Sequence, residues 1–160
     1  MLTRENTIKM AIGYVDQGFL CSESVLMAIR DALQASCLCI PRVATGFAAG
    51  LGRTGNLCGA FSGAVMGLGL ELGRDQPTGG DRPPHWFAKK MAEAFEGDVG
   101  SLTCPGILGI DIVDPIGYRT YKDRNMWETV CKDLIIKAVG LAYDILAEEK
   151  IVKRTVHTGA

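Results

Sequence analysis

Glycine recurs every four residues between Leu57 and Leu72, at Gly59, Gly63 and Gly67, with Ala60 and Ala64 beside it. The rest of the segment is mostly apolar, so it reads as a buried helix, and residues four apart share one face of a helix. Each helical glycine costs about 1 kcal/mol relative to alanine. Three on one stripe therefore need a compensating gain, and the simplest is a second helix lying too close for any Cβ to intervene. Such packing is familiar from membranes, but its steric basis holds in water too. The partner helix can belong to the same chain or to a second copy, which leaves a homodimer open. The apolar run stops at Glu71, short of the roughly 20 residues that a membrane span needs.

Around this helix the apolar spacing is helical throughout. Ile8, Ala11, Ile12 and Val15 mark a first helix over Asn6–Gln17, with Gly18 as a stop. Ser22 reads as the N-cap of a second helix reaching Ala35, with Val25, Ala28, Ile29 and Leu33 inward. Pro41 suits the first turn of a short helix through Val43, Phe47 and Leu51, followed by a loop over Gly52–Asn56. A loop over Arg74–Pro84 precedes a helix over Pro84–Glu96 that carries Phe87, Met91, Ala94 and Phe95 inward. Gly97–Lys122 reads as mostly irregular, with one helical turn after Pro105. Asn125 and Glu128 have capping-box spacing before a long last helix through Trp127, Cys131, Leu134, Ala138, Leu141 and Ile145. The expected fold is all-α: a compact bundle of about five to six helices with the glycine-striped helix at its centre. Residues 1–150 form one domain in this reading, and 151–160 a flexible tail. A chain of 160 residues is long enough to bury a core without disulfide staples.

The charge pattern narrows the partners. With 17 basic and 18 acidic residues and no basic stripe, nucleic acid is excluded as a partner class. Met1–Asn6 carries charge at once with no apolar core behind it, so no signal peptide is expected and the cytoplasm is the expected compartment. Six cysteines are many for such a chain. Cytosolic cysteines are usually either small buried hydrophobes, redox groups or metal ligands.

Their positions are informative. Cys21 directly precedes the Ser22 cap, Cys58 lies in the first turn of the striped helix, and Cys104 precedes Pro105. All three fall at expected helix N-termini, where the partial positive charge favours thiolate. Cys131 falls mid-helix on an apolar face, where a structural role is the default. Arg53, in the loop before Cys58, could add positive charge, and the backbone amides of the same loop could form a nest. A phosphate loop is excluded because the Gly-Lys-Ser/Thr ending is missing. Cys37 and Cys39 form a Cys-x-Cys pair that could bind metal, but no Cys-x-x-Cys repeat supports it. His85 and His157 are poorly placed for a Cys–His pair. Glu71, Asp111 and Asp114 read as solvated carboxylates.

Taken together, Cys58-Gly59-Ala60-Phe61-Ser62-Gly63, the upstream Cys21-Ser22-Glu23-Ser24-Val25, and the downstream Cys104 and Cys131 resemble the redox-active proteins named for the signature C-GCAxxG-C-C. The resemblance spans about residues 8–145, including Ile40–Phe47. It departs in one place: the signature puts glycine before the cysteine, whereas Leu57 precedes Cys58 and Gly59 follows it. The resemblance implies that the family's four shared cysteines are Cys21, Cys58, Cys104 and Cys131, with no role for Cys37 or Cys39. It names no substrate and no reaction.

Three functions fit these residues. The leading one is thiol redox chemistry of the thiol–disulfide oxidoreductase kind, with Cys58 as the low-pKa thiolate and Cys21 or Cys104 resolving a mixed disulfide. It needs no cofactor, and its partner would be a redox protein or a small thiol. The second is a site in which Cys21, Cys58, Cys104 and Cys131 hold zinc or an iron–sulfur cluster. The third is a non-catalytic helical interaction module with inert cysteines.

Overall fold

The computed structural model describes residues 1–77 and 82–158, with side chains described up to Lys150. Helix α1 (Arg4–Asp16) starts at Thr3, whose Oγ1 accepts from the Asn6 amide at 3.2 Å. Helix α2 (Cys21–Leu33) ends at Gln34 in the left-handed conformation. Ser22 is not its cap. Leu20 is the N-cap, and its amide donates to Glu23 Oε2 at 2.9 Å. Ser22 is instead buried, its hydroxyl donating to the Ala44 carbonyl at 2.7 Å. Cys21 thereby becomes the first residue of the helix.

The helix expected to run from Pro41 through Leu51 breaks. Helix α3 (Arg42–Thr45) follows a cis Ile40–Pro41 bond. The short element α4 (Ala48–Arg53) turns left-handed inside, with φ of 54° at Ala49, 71° at Gly50, 57° at Leu51 and 63° at Gly52. Arg53 continues it at φ 65°. Left-handed turns crowd Cβ against the carbonyl at roughly 1–2 kcal/mol per non-glycine residue. The turn is held by the Gly50 carbonyl, which accepts from the amides of Thr54 at 3.2 Å and Asn56 at 3.1 Å.

The striped helix α5 (Gly59–Leu72) lies centrally, against α2, α6 (Trp86–Val99) and α9 (Lys132–Thr158). A Cβ built at Gly63 would sit 2.5 Å from the Ser22 carbonyl oxygen, and one at Gly67 would sit 2.7 Å from Ile29 Cδ1. The close partner is thus α2 of the same chain. The main core joins Ala11 and Val15, Val25 and Ile29, Phe61 and Leu68, Met91 and Phe95, and Ile135 and Val139.

Two differences lie in the C-terminal half. Between α7 (Cys104–Leu108) and the last helix, an unanticipated α8 (Pro115–Asp123) forms where an irregular stretch was expected. Asp114 caps it, accepting from the Ile116 and Gly117 amides at 2.9 Å, and Pro115 occupies its first turn. α8 buries no residue fully, so the apolar periodicity was too weak to reveal it. The last helix opens with a π-helical turn, Trp127–Cys131, and its backbone stays helical to Thr158, beyond the Ile151 boundary expected for the tail. Residues 159–160 lie outside the described residues. Among the described residues there is no strand, only an isolated antiparallel bridge between Leu57 and Thr103, and no helix is long and apolar enough to cross a membrane.

Candidate functional site: four cysteines around one cavity

The Leu57–Thr103 bridge sets the site. Flanking it, the Cys58 amide donates to the Leu102 carbonyl at 2.7 Å and the Cys104 amide to the Asn56 carbonyl at 3.0 Å. In an antiparallel pair this register puts residues 58 and 104 on one face as diagonal neighbours. Each then enters a helix: Cys58 is the N-cap of α5, and Cys104 is the first residue of α7 behind the Thr103 cap. Cys21 opens α2, and Cys131 closes the π-turn. All four thiols line one apolar cavity of about 20 Å³, together with Ala60, Leu108 and Leu134, space for about one water. Cys58 and Cys104 are buried, whereas Cys21 and Cys131 are half-exposed.

A second, open cleft of about 430 Å³ reaches the same cavity from outside, a size typical of small-ligand pockets. Cys21, Cys104 and Cys131 form part of its wall, while Cys58 lies behind them. Ala49, Gly52 and Arg53 of the left-handed turn form one rim, and Tyr118, Tyr121 and Trp127 the other. Arg53 does not act on Cys58 as expected. Its guanidinium lies over the Tyr118 ring, 4.2 Å from the centroid.

The four sulfurs are electrostatically unequal. The Cys104 thiol donates to Cys58, and this pulls Cys58 down to about 7 against the opposing push of burial. The amides of Phe61 and Ala60 pull the same way. They close no regular side-chain cap bond on Cys58, so they act as aligned dipoles at the head of α5. Cys104 is raised, first because its proton is committed to Cys58, then by burial and neighbouring thiolate charge. Burial pushes Cys21 up to about 12, although the Ala49 and Ser22 amides oppose it. A helix N-terminus alone is therefore not enough: Cys58 is drawn down chiefly by Cys104, and Cys21, which lacks such a neighbour, is governed by desolvation. Of the four thiols, Cys58 is the one drawn downward.

Cys131 is raised by burial and lowered by the Tyr121 hydroxyl, which lies 3.5 Å from its sulfur. Tyr121 is itself raised by burial, so it stays protonated and donates. Tyr121→Phe is expected to push the Cys131 thiol further up. Peptide-resolved alkylation at pH 8 should then show Cys131 reacting several-fold more slowly. Sequence reasoning passed over Tyr121. Its signal was the Tyr118–Tyr121 spacing behind the Asp114-Pro115 helix start.

The other cysteines lie elsewhere. Cys37 and Cys39 are bonded to each other, with Cα atoms 5.4 Å apart, and they pack against Ile40, Ala44, Leu26 and Met27. This replaces the metal-binding expectation for the pair. Among the described residues, no group of three or more His, Cys, Asp or Glu is arranged to hold a metal ion. His85 is the N-cap of α6 and lines neither the cavity nor the cleft, while the His157 side chain lies outside the described residues.

The chain has no match among curated proteins or among solved structures. A family model described as "Putative redox-active protein (C_GCAxxG_C_C)" matches residues 19–145, a span that holds all four cavity cysteines. With most of the chain matched, the protein belongs to that family.

Proposed function

We propose that the protein exchanges thiols and disulfides through Cys58 and Cys104, with Cys104 facing the substrate and Cys58 as the low-pKa thiolate behind it. The observation that carries this reading is the Leu57–Thr103 bridge, which sets Cys58 and Cys104 side by side on one face and against one cavity; the neighbouring Cys104 thiol also draws Cys58 down to about 7. In the oxidised protein a substrate thiolate, RS⁻, attacks Cys104 Sγ. The Cys58–Cys104 bond breaks, and Cys58 departs with the electron pair. A second RS⁻ attacks the mixed disulfide at the substrate sulfur, and RSSR leaves as Cys104 takes a proton. Two electrons pass from two thiols to the protein. In reverse, Cys104 passes its proton to Cys58 and attacks RSSR, releasing RS⁻; Cys58 then gives up that proton and attacks Cys104 Sγ of the mixed disulfide, releasing the second RS⁻. A low pKa makes Cys58 a good leaving group in one direction and a thiolate at neutral pH in the other.

The test is disulfide mapping after equilibration with a small disulfide. The expected product is a Cys58–Cys104 crosslink, with two small thiols released per chain. Another pairing, or stable one-thiol adducts alone, would overturn the reading. Anaerobically purified protein carrying stoichiometric zinc or iron would replace it with the metal-site reading, and Cys21, Cys58, Cys104 and Cys131 are the residues that reading names.

A further inference from the structure

The cleft in front of Cys104 and the pocket beside it are lined by three cations and, among the described residues, no carboxylate. Arg53 lies on the rim of the cleft and also lines the adjoining pocket of about 250 Å³ with Arg119 and Lys122. Tyr118 separates the two spaces and lines both. Arg53 lies over its ring at 4.2 Å and Lys122 at 5.1 Å from the centroid. Among the described residues, none of the three cations makes an ion pair. Two neighbouring carboxylates are engaged by backbone amides, and Asp123, four residues after Arg119 on α8, makes no ion pair with it. Asp114 accepts two amides at the start of α8, and Asp111 accepts the Val113 amide at 2.9 Å. Elsewhere the surface pairs its charges across elements, as in Arg4–Asp144 and Lys137–Asp98.

The position of Arg53 is also dearly held. It ends the left-handed turn, at φ 65°, with Ala49 and Leu51 in the same unfavourable region. Strained non-glycine backbone persists where the surroundings over-determine it, and it concentrates at ligand sites. Here it aims a guanidinium at the mouth of a cleft whose inner wall holds Cys104.

Resting on the exchange reading above, we propose that the substrate is a small anionic thiol or its disulfide. Its carboxylate or phosphate lies against Arg53, Arg119 and Lys122, and its sulfur meets Cys104 at the inner end of the cleft. The apolar and aromatic wall takes the body between these two ends. A planar guanidinium suits a carboxylate or phosphate oxygen pair, so the two anions share one chemistry.

The experiment compares two small disulfides, the dianionic 5,5′-dithiobis(2-nitrobenzoate) and the neutral 4,4′-dithiodipyridine. Second-order rates of thiol release give an anionic-to-neutral ratio, which reads charge preference whatever a variant does to the overall rate. In Arg53→Glu the ratio should fall about tenfold or more. The double variant Arg119→Glu/Lys122→Glu, whose positions are exposed and lie outside the left-handed turn, should lower it in the same direction. Raising salt should lower the wild-type ratio alone. A ratio unchanged in both variants overturns the anionic substrate while leaving the exchange reading intact. A neutral probe that never generates the Cys58–Cys104 disulfide overturns the exchange reading, and this assignment with it. Carboxylate- and phosphate-bearing thiols, tested as competitors, then identify the anion.

Discussion

Gly63→Ala is expected to destabilise the protein by about 2 kcal/mol, although alanine is the better helix former. The added Cβ would meet the Ser22 carbonyl oxygen at 2.5 Å and Ser22 Cα at 3.0 Å. Both are backbone atoms of α2 and cannot rotate away. Overpacking of this kind costs about 1–3 kcal/mol or more, against a propensity gain of up to about 1 kcal/mol. For a chain of this length the melting temperature should fall by roughly 4–8 °C. Gly97→Ala in α6 is the matched control, because nothing lies within 4 Å of its Cβ position. It should stabilise by up to about 1 kcal/mol. Equal signs for the two substitutions in thermal unfolding would refute the close α2–α5 contact.

Replacing Cys58 by alanine should abolish disulfide formation at the quartet, while Cys104→Ala should leave the Cys58 thiolate present but displaced. Cys104 supplies the largest downward pull on Cys58. Without it, the first thiolate step in an ultraviolet titration should move from about 7 up towards the ordinary thiol range. The sign follows directly: at pH 7 the ionised fraction drops from about a half to a few per cent. Each remaining thiolate is then about fivefold more nucleophilic, because reactivity rises with basicity. The two effects offset in part and leave a rate at pH 7 only about threefold lower, so the titration is the decisive measurement. A first step that stays at 7 in Cys104→Ala would show that the Cys104–Cys58 hydrogen bond is not the cause.

The glycine stripe was legible because its reasoning is steric: three absent Cβ atoms imply a close neighbour, and α2 supplies it with the Cys21 sulfur at Gly59, the Ser22 backbone at Gly63 and the Ile29 side chain at Gly67. The inward faces of α2, α6 and α9 were legible for a similar reason, since burial imposes a period. The site was readable in part. Cys21, Cys58 and Cys104 do fall at helix starts. Their inequality was not readable, because it depends on how deeply each sulfur is buried and which thiol faces which. The Cys58–Cys104 approach comes from a single bridge between residues far apart in sequence, and nothing local announces it. Tyr121 was missed with α8, a helix held by its cap rather than by an apolar stripe. Arg53 was noticed for its distance along the chain from Cys58, but the left-handed turn aims it elsewhere.

That turn inverts the usual meaning of glycine in this molecule. In α5 the missing Cβ is what lets two helices touch, so a side chain there is an intrusion. At Ala49, Leu51 and Arg53 a Cβ is present where the backbone would prefer none, at roughly 3–6 kcal/mol for the three together. Set against the 5–15 kcal/mol that holds a typical domain folded, that is a sizeable share committed to a few rim residues. Selection for stability alone would have put glycine there. Glycine at Ala49, Leu51 or Arg53 should therefore relax the backbone, so this exposed turn is a place where a substitution can raise stability while changing the mouth of the cleft.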